Sequence, residues 1–357
     1  MKISFFLMTL LILTAWLIPQ TCHPCTAFCL DKGDQLIVGF NMDWIDGQGT
    51  IIVNKRNVSK TALLDFGITG CQPVNWTSKY GSVTFTFGGR DFPGGGMNEA
   101  GLVIHVLRLL SSQFPSSDSR KCISEIQWVQ YQLDNFSSVE QVIASDAQIR
   151  IFPPPPTLGT LHYYICDSTG NCAVIEFIDG KTVYYTKATM PAKVISNDRY
   201  GECISSLDTY KDWGGNLPVP QSGSAYDRFV RAADMVKNYD PKKSKSILDY
   251  AFSILANVEW SMPTQWSIVY DLKKLRIHYH TIDNKQIRYV DLNSFDFSCK
   301  TPVKLLDVNA PLSGDVTKKF TDYSYERNRD DIKKVFNFPE EVLDVIARYP
   351  ETTICTE

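Results

Sequence analysis

The sequence predicts a layered α+β domain. Two observations carry this reading: short apolar or alternating runs, bounded by turn residues, fall in two blocks, and helix-period runs lie between and after them. Thr26 to Leu30 reads as a strand, Asp31-Lys32-Gly33-Asp34 as a turn and Leu36 to Phe40 as the returning strand, so residue 25 stands at the end of a hairpin. Further strands are expected at Thr50 to Val53, Ser82 to Phe87 and Leu102 to Leu107. Cys122 to Ala147 reads as mainly helical, with Ile123, Ile126, Val129 and Leu133 at helical spacing. Phe152 to Pro156 is a proline-rich break, after which strands resume at Leu161 to Cys166, Ala173 to Phe177 and, past the Asp179-Gly180 turn, Thr182 to Tyr185. A helix opens near Ser224 and buries Phe229, Val230, Ala233 and Val236; Ser244 to Asn257 is another. Late strands run Trp266 to Tyr270, Leu275 to His280 and Ile287 to Asp291, and Phe338-Pro339-Glu340-Glu341 starts a final helix with Pro in its first turn.

Composition narrows the function classes. The chain is 44% hydrophobic and 21% charged, which allows a sizeable core. A net charge of −3 gives no case for nucleic acid or an anionic membrane as partner. Ten cysteines fit an oxidising compartment. Cys166 and Cys172 flank a short turn and could close a hairpin disulfide, while pairing of the others is unreadable. The run Gly94-Gly95-Gly96 reads as a flexible loop and not a phosphate cradle. With five histidines in all, a Cys-His pair has few candidates; His278 and His280 share a strand face but lack a third metal ligand, so they read as solvated strand residues.

The N-terminus is the most informative segment. Lys2 precedes a nearly unbroken apolar run from Phe5 to Ile18, shorter than the ~20 residues that span a bilayer, so residues 1–24 read as a secretory signal with a short pro-segment. Loss of that segment leaves Cys25 first. A first-residue cysteine carries a thiol nucleophile and, in its own α-amino group with a pKa of about 7.7–8.0, a base that works near neutral pH. That is the working part of an N-terminal-nucleophile amidohydrolase.

Several motifs then align in order: Cys25-Thr26, Asn41-Met42-Asp43-Trp44, Trp76-Thr77-Ser78-Lys79-Tyr80-Gly81, Gly96-Met97-Asn98-Glu99-Ala100-Gly101-Leu102, Ser196-Asn197-Asp198 and Asp227-Arg228-Phe229. Over roughly residues 25 to 300 the chain resembles the choloylglycine hydrolases, the family of bile salt hydrolases and penicillin V acylases, and most closely the secreted Gram-negative acylase branch. The resemblance implies a four-layer αββα sandwich within the α+β class, residues 25–325 as the catalytic domain, and 326–357 as a C-terminal extension with a helix. It implies cleavage of unactivated amides through a thioester, with no metal or organic cofactor and often a homotetramer. Residue by residue it makes Cys25 the nucleophile, Asp43 the carboxylate that holds the α-amino group, Asn197 an oxyanion donor and Arg228 a supporting cation.

One departure matters. The family's arginine in the segment before the aspartate is replaced by Phe40, which should leave the thiol less acidic and the pocket more apolar. Arg108 stands where the acylase branch often has an aromatic, and Arg199 where a proline is common. With Trp44, the residues Phe40 and Arg108 are the expected substrate contacts. The reading is a secreted or periplasmic cysteine amidohydrolase for a small-molecule N-acyl amide, without a stable membrane span in the mature chain. Its competitors are a binding protein on the same scaffold, made inactive by Phe40, and a ceramidase-like lipid amidase.

Overall fold

A computed structural model describes residues 25–64, 71–152, 160–244, 246–259 and 263–357. The leader lies outside the described residues, as do most of the proline-rich break after Phe152 and the side chain of Ile126.

Strands are numbered in chain order. A seven-stranded sheet runs β14 (Val194–Ile195), β1 (Thr26–Lys32), β2 (Gln35–Asp43), β15 (Thr264–Asp271), β16 (Arg276–Thr281), β17 (Arg288–Asp291) and β19 (Gly314–Asp315). A nine-stranded sheet runs β13 (Lys181–Thr186), β12 (Cys172–Ile178), β11 (Leu161–Cys166), β8 (Val103–Arg108), β7 (Gly95–Asn98), β6 (Ser82–Thr86), β3 (Thr50–Asn54), β18 (Lys304–Asp307) and β20 (Thr321–Asp322). Two small sheets flank them: β21 (Ile354–Cys355), β4 (Val58–Thr61) and β5 (Asn75–Thr77), and the parallel pair β9 (Lys121–Ser124) and β10 (Ile149–Phe152).

The two large sheets stack face to face. Phe40 and Tyr270 of the first meet His105 of the second, and Phe85 of the second meets Trp266 and Tyr279 of the first. Alternation along each strand supplies this inner layer and leaves the opposite faces for helices. Helices α1 (Glu125–Asn135) and α2 (Val139–Ser145) cover the nine-stranded sheet, burying Val129, Leu133, Val139 and Val142 in a second core with Ile104, Tyr163 and Ile175. After the short α3 (Tyr200–Ser205), helices α4 (Ala225–Lys237) and α5 (Ile247–Asn257) cover β1, β2 and β15. The result is the expected four-layer αββα sandwich. Helices α6 (Tyr325–Val335) and α7 (Glu340–Arg348) pack together through Ile332, Leu343 and Ile346, and the Cys299–Cys355 disulfide ties the chain end down.

Several expectations need correction. The stretch from Cys122 to Ala147 is mainly helical as expected, in two helices, but its start is strand: Cys122 sits in the β9–β10 ladder and is disulfide-bonded to Cys71, and Ser138 restarts the helix by accepting the Gln141 N–H at 3.3 Å. Gly95 and Gly96 are not a loop but the buried strand β7. A Cβ on Gly95 would lie 2.1 Å from His105 Nδ1, and one on Gly96 2.5 Å from the Val83 carbonyl, so the absent side chains let a ring and a neighbouring strand approach. Pro339 caps α7 instead of entering its first turn. The α6 helix had no clear signal, because its sequence is mostly charged and Ile332 is its one fully buried apolar residue. His278 and His280 are half-buried against Tyr289 and Phe252, and burial pushes each imidazole down to about 4.

Candidate active site

Cys25 stands immediately ahead of β1 and is 7% exposed. The β1–β2 register pairs Thr26 with Asn41 and Ala27 with Phe40. Continued one residue back, it sets Cys25 beside Met42 and so one position from Asp43. On its other edge β1 pairs Ala27 with Ile195, and the same continuation brings Asn197 alongside Cys25. Cys25, Ala27 and Cys29 therefore face the inner layer, and Thr26 and Phe28 face the helices. The side chains agree: Phe40 stacks on His105 of the opposite sheet, while Thr26 and Asn41 bond to α4 and α5.

Arg228 binds these segments together. Its helix, α4, is capped by Ser224, whose hydroxyl accepts the Asp227 N–H at 3.1 Å. The side chain is fully buried. Nη1 donates to the Cys25 carbonyl at 2.8 Å and to Thr26 Oγ1 at 2.5 Å, Nη2 to Asn197 Oδ1 at 3.0 Å, and Nε to the Gly223 carbonyl at 3.3 Å. A planar fork of fixed donors suits this task, whereas an ammonium could not span the same acceptors. With Oδ1 held by Arg228, the Asn197 amide is oriented, and its Nδ2 donates to the Arg108 carbonyl at 2.9 Å. It is thus the backbone of Arg108 that touches Asn197. The Arg108 Nε is buried without a partner among the described residues.

Asp43 ends β2, fully buried. Its Oδ1 accepts the Thr264 hydroxyl, at a place where the β2–β15 register shifts. Its Oδ2 is buried with no hydrogen-bond partner among the described residues. Burial pushes the carboxyl up to about 7; the Thr264 hydrogen bond and the Arg228 charge oppose the rise, and Glu259 adds to it.

Phe40 is buried in the inner layer, its ring 3.7 Å from the His105 ring and tilted by 14°. His105 Nε2 lies 2.7 Å from the Tyr270 hydroxyl, and burial pushes the imidazole down to about 3, so the ring is neutral at physiological pH. An aromatic wall thus forms the inner face of β2 ahead of Asp43. Trp44 is half-buried, stacks at 6.1 Å on Phe87, and its carbonyl accepts the Gln265 amide at 2.7 Å. Arg199 donates to Ser111 Oγ at 3.1 Å. The structure gathers Cys25, Asp43, Asn197 and Arg228 around the start of β1 and leaves Trp44 on the Phe87 side. The contributions of Thr26, Thr264, His105 and Tyr270 were missed. His105 had one available signal, a histidine in an otherwise apolar strand whose partner strand carries glycines.

Two predictions follow from this geometry. Arg228→Ala leaves buried acceptors at Cys25, Thr26 and Asn197 without their donor, so urea unfolding should show a loss of roughly 3 kcal/mol or more, with Arg228→Lys recovering only part. In the chain that retains residues ahead of Cys25, the native state holds a proton on Asp43 that the unfolded state releases above about pH 4. Stability should therefore fall as pH rises from there through about 7. Asp43→Asn should flatten that slope in unfolding curves taken across the window.

Comparisons with known proteins agree with this arrangement. The family profile described as linear amide C–N hydrolases, choloylglycine hydrolase family, matches residues 25–305 and so begins at Cys25. A penicillin V acylase of Pectobacterium atrosepticum is 33% identical over 315 residues, covering 77% of this chain and 82% of that protein. A bile salt hydrolase/transferase of Clostridium perfringens is 27% identical over 317 residues, covering 75% and 92%. Among solved structures, penicillin V acylase from Agrobacterium tumefaciens superposes with a TM-score of 0.72 at 29% identity, covering 84% of this chain and 98% of that one. A conjugated bile acid hydrolase variant from Clostridium perfringens shares the fold at a TM-score of 0.64 and 24% identity, covering 81% and 98%. With a buried cysteine at the head of an αββα sandwich and a family match over most of its length, this chain is a hydrolase of non-peptide carbon–nitrogen bonds and belongs to the choloylglycine hydrolase family.

Proposed function

We propose that Cys25, once it is the first residue of the mature chain, is the nucleophile of a secreted or periplasmic amidase for N-acyl amides. The observation that carries the reading is the orphaned Asp43 Oδ2, buried and set by the β1–β2 register one position from Cys25. A free α-amino group there gains a carboxylate acceptor, and the ammonium in turn draws the Asp43 carboxyl down from its raised value.

The chemistry follows from that pairing. The Cys25 thiol attacks the amide carbon while its proton passes to the Cys25 amine. The tetrahedral oxyanion accepts a hydrogen bond from the Asn197 amide, a donor of a kind whose removal typically costs about 3–4 kcal/mol. The amine then protonates the leaving nitrogen, the carbon–nitrogen bond breaks and a thioester remains. Water, deprotonated by the same amine, attacks the thioester and releases the acid and the thiol.

Phe40 in place of the arginine points to an uncharged acyl body. Half-buried Trp44, stacked on Phe87, offers aromatic surface, and Phe40, packed on His105, keeps the inner face uncharged; both favour an aromatic or aliphatic acyl group over a charged one. Phenoxyacetyl amides and medium-to-long N-acyl amides are therefore the preferred substrates, ahead of bile salt conjugates. Both penicillin V acylases and bile salt hydrolases stand among the relatives, so the ranking rests on the aromatic side chains.

A panel of kcat/KM values over phenoxyacetyl, aliphatic N-acyl and taurine- or glycine-conjugated bile amides tests the reading. Turnover of the first two classes should exceed the third and vanish in Cys25→Ala. Activity of the alanine variant equal to wild type would remove Cys25 from the mechanism. Preference for bile conjugates would reverse the substrate ranking. No turnover of any class by the processed wild-type chain would favour the binding-protein reading that Phe40 raises.

A further inference from the structure

The Sγ atoms of Cys29, Cys166 and Cys172 all lie within 4.8 Å of one another. Cys166 and Cys172 are disulfide-bonded across the β11–β12 hairpin, and Cys29 is a free thiol. Two of the three sulfurs are thus bonded to each other, so the chemistry open to the group is thiol–disulfide exchange. Cys29 comes from the opposite sheet. It lies on β1, on the same inner face as Cys25 and Ala27.

Contacts around the group hold the strand and the hairpin together. The Cys29 N–H donates to the Lys193 carbonyl at 2.9 Å, and the Tyr164 hydroxyl donates to that carbonyl at 2.8 Å. Lys193 Nζ reaches both Asp31 at the end of β1 and the Gly170 carbonyl in the hairpin turn, each at 2.7 Å. A surface pocket of about 360 Å³ is lined by Cys172, Thr169, Asn171, Glu140, Lys187 and Lys193, with Lys187 paired to Glu140 at 2.9 Å. The disulfide therefore has a buried thiol beside it and a surface pocket at Cys172.

We infer that Cys29, Cys166 and Cys172 form one exchange unit, in which Cys29 can displace Cys172 from Cys166 and present Cys172 as a modifiable thiol at the pocket. The Cys29 thiolate attacks Cys166 Sγ; the Cys29–Cys166 bond forms as the Cys166–Cys172 bond breaks, and the proton lost by Cys29 ends on Cys172. Electrons balance without an outside oxidant. The exchange replaces a bond within one hairpin by a bond between the two sheets. The closed loop grows from a sequence separation of 6 to roughly 140 residues, which constrains the unfolded chain more strongly. Burial keeps the Cys29 thiol protonated, pushed up to about 12; Lys193 lowers it, and Asp31 and Asp167 raise it. The hairpin disulfide is the resting state, and the raised Cys29 thiol makes exchange slow and quickened by alkali.

The test uses the folded full-length mature chain, with excess N-ethylmaleimide, no reductant, mildly alkaline pH and room temperature. Non-reducing digestion and peptide mass spectrometry then map linkages over hours. The inference predicts a maleimide adduct on Cys172 appearing together with a Cys29–Cys166 linked peptide. Cys71–Cys122 and Cys299–Cys355 should stay intact, which marks the event as native-state. In Cys29→Ala, or in Cys29→Ser if alanine does not fold, Cys172 labelling should slow at least about tenfold. Alkylation of Cys29 itself with Cys166–Cys172 still joined would overturn the proposal, as would equal Cys172 labelling in wild type and variant. The wild-type linkage map decides by itself if neither variant folds.

Discussion

The arrangement around Cys25 depends on the buried guanidinium of Arg228. Burying such a charge is expensive unless its donors are met and opposite charge lies near. Here each nitrogen has an acceptor, and although burial raises the carboxyl groups of Asp43 and Asp198, the Arg228 charge opposes the rise at both. The acceptors belong to separate parts of the chain: the head of β1, the segment after β14 and the turn before α4. One side chain thereby fixes the backbone of the cysteine, the orientation of the asparagine amide and the docking of a helix on the sheet.

The inner layer is organised on a different principle. Where relatives are expected to carry an arginine beside the nucleophile, Phe40 continues the apolar inner face and stacks on a histidine that burial keeps neutral. A packed, uncharged ring pair thus lies on the inner face beside β1, and the Arg228 guanidinium reaches the head of β1 from the helix side.

Much of this was legible in the sequence. The β1–β2 hairpin follows from two short, mostly apolar runs around a Gly33 turn, and α4 from its Ser224 cap and apolar spacing. Cys25, Asp43, Asn197 and Arg228 were readable through ordered motifs, because each sits next to a strand end or helix start with strong local signals. What was hidden depends on contacts far apart in the chain. The Phe40–His105–Tyr270 stack joins three strands whose packing no local pattern states. Gly95 and Gly96 read as a loop because glycine signals freedom, yet here their missing side chains admit His105 and the Val83 carbonyl. Cys29 gave no sign of its neighbours, since the sulfurs meet only when the two sheets stack.

The central claim is that thiol and base belong to one residue, with Asp43 holding the base. The most direct measurement compares kcat/KM for the chain that begins at Cys25 with that for a chain carrying one additional alanine ahead of Cys25, both verified by intact mass. The added residue turns the amine into an amide that cannot take a proton, while the thiol, Asn197 and Arg228 remain. The account predicts a loss of at least about a hundredfold, the scale of a missing general base. Equal activity of the two chains would contradict it.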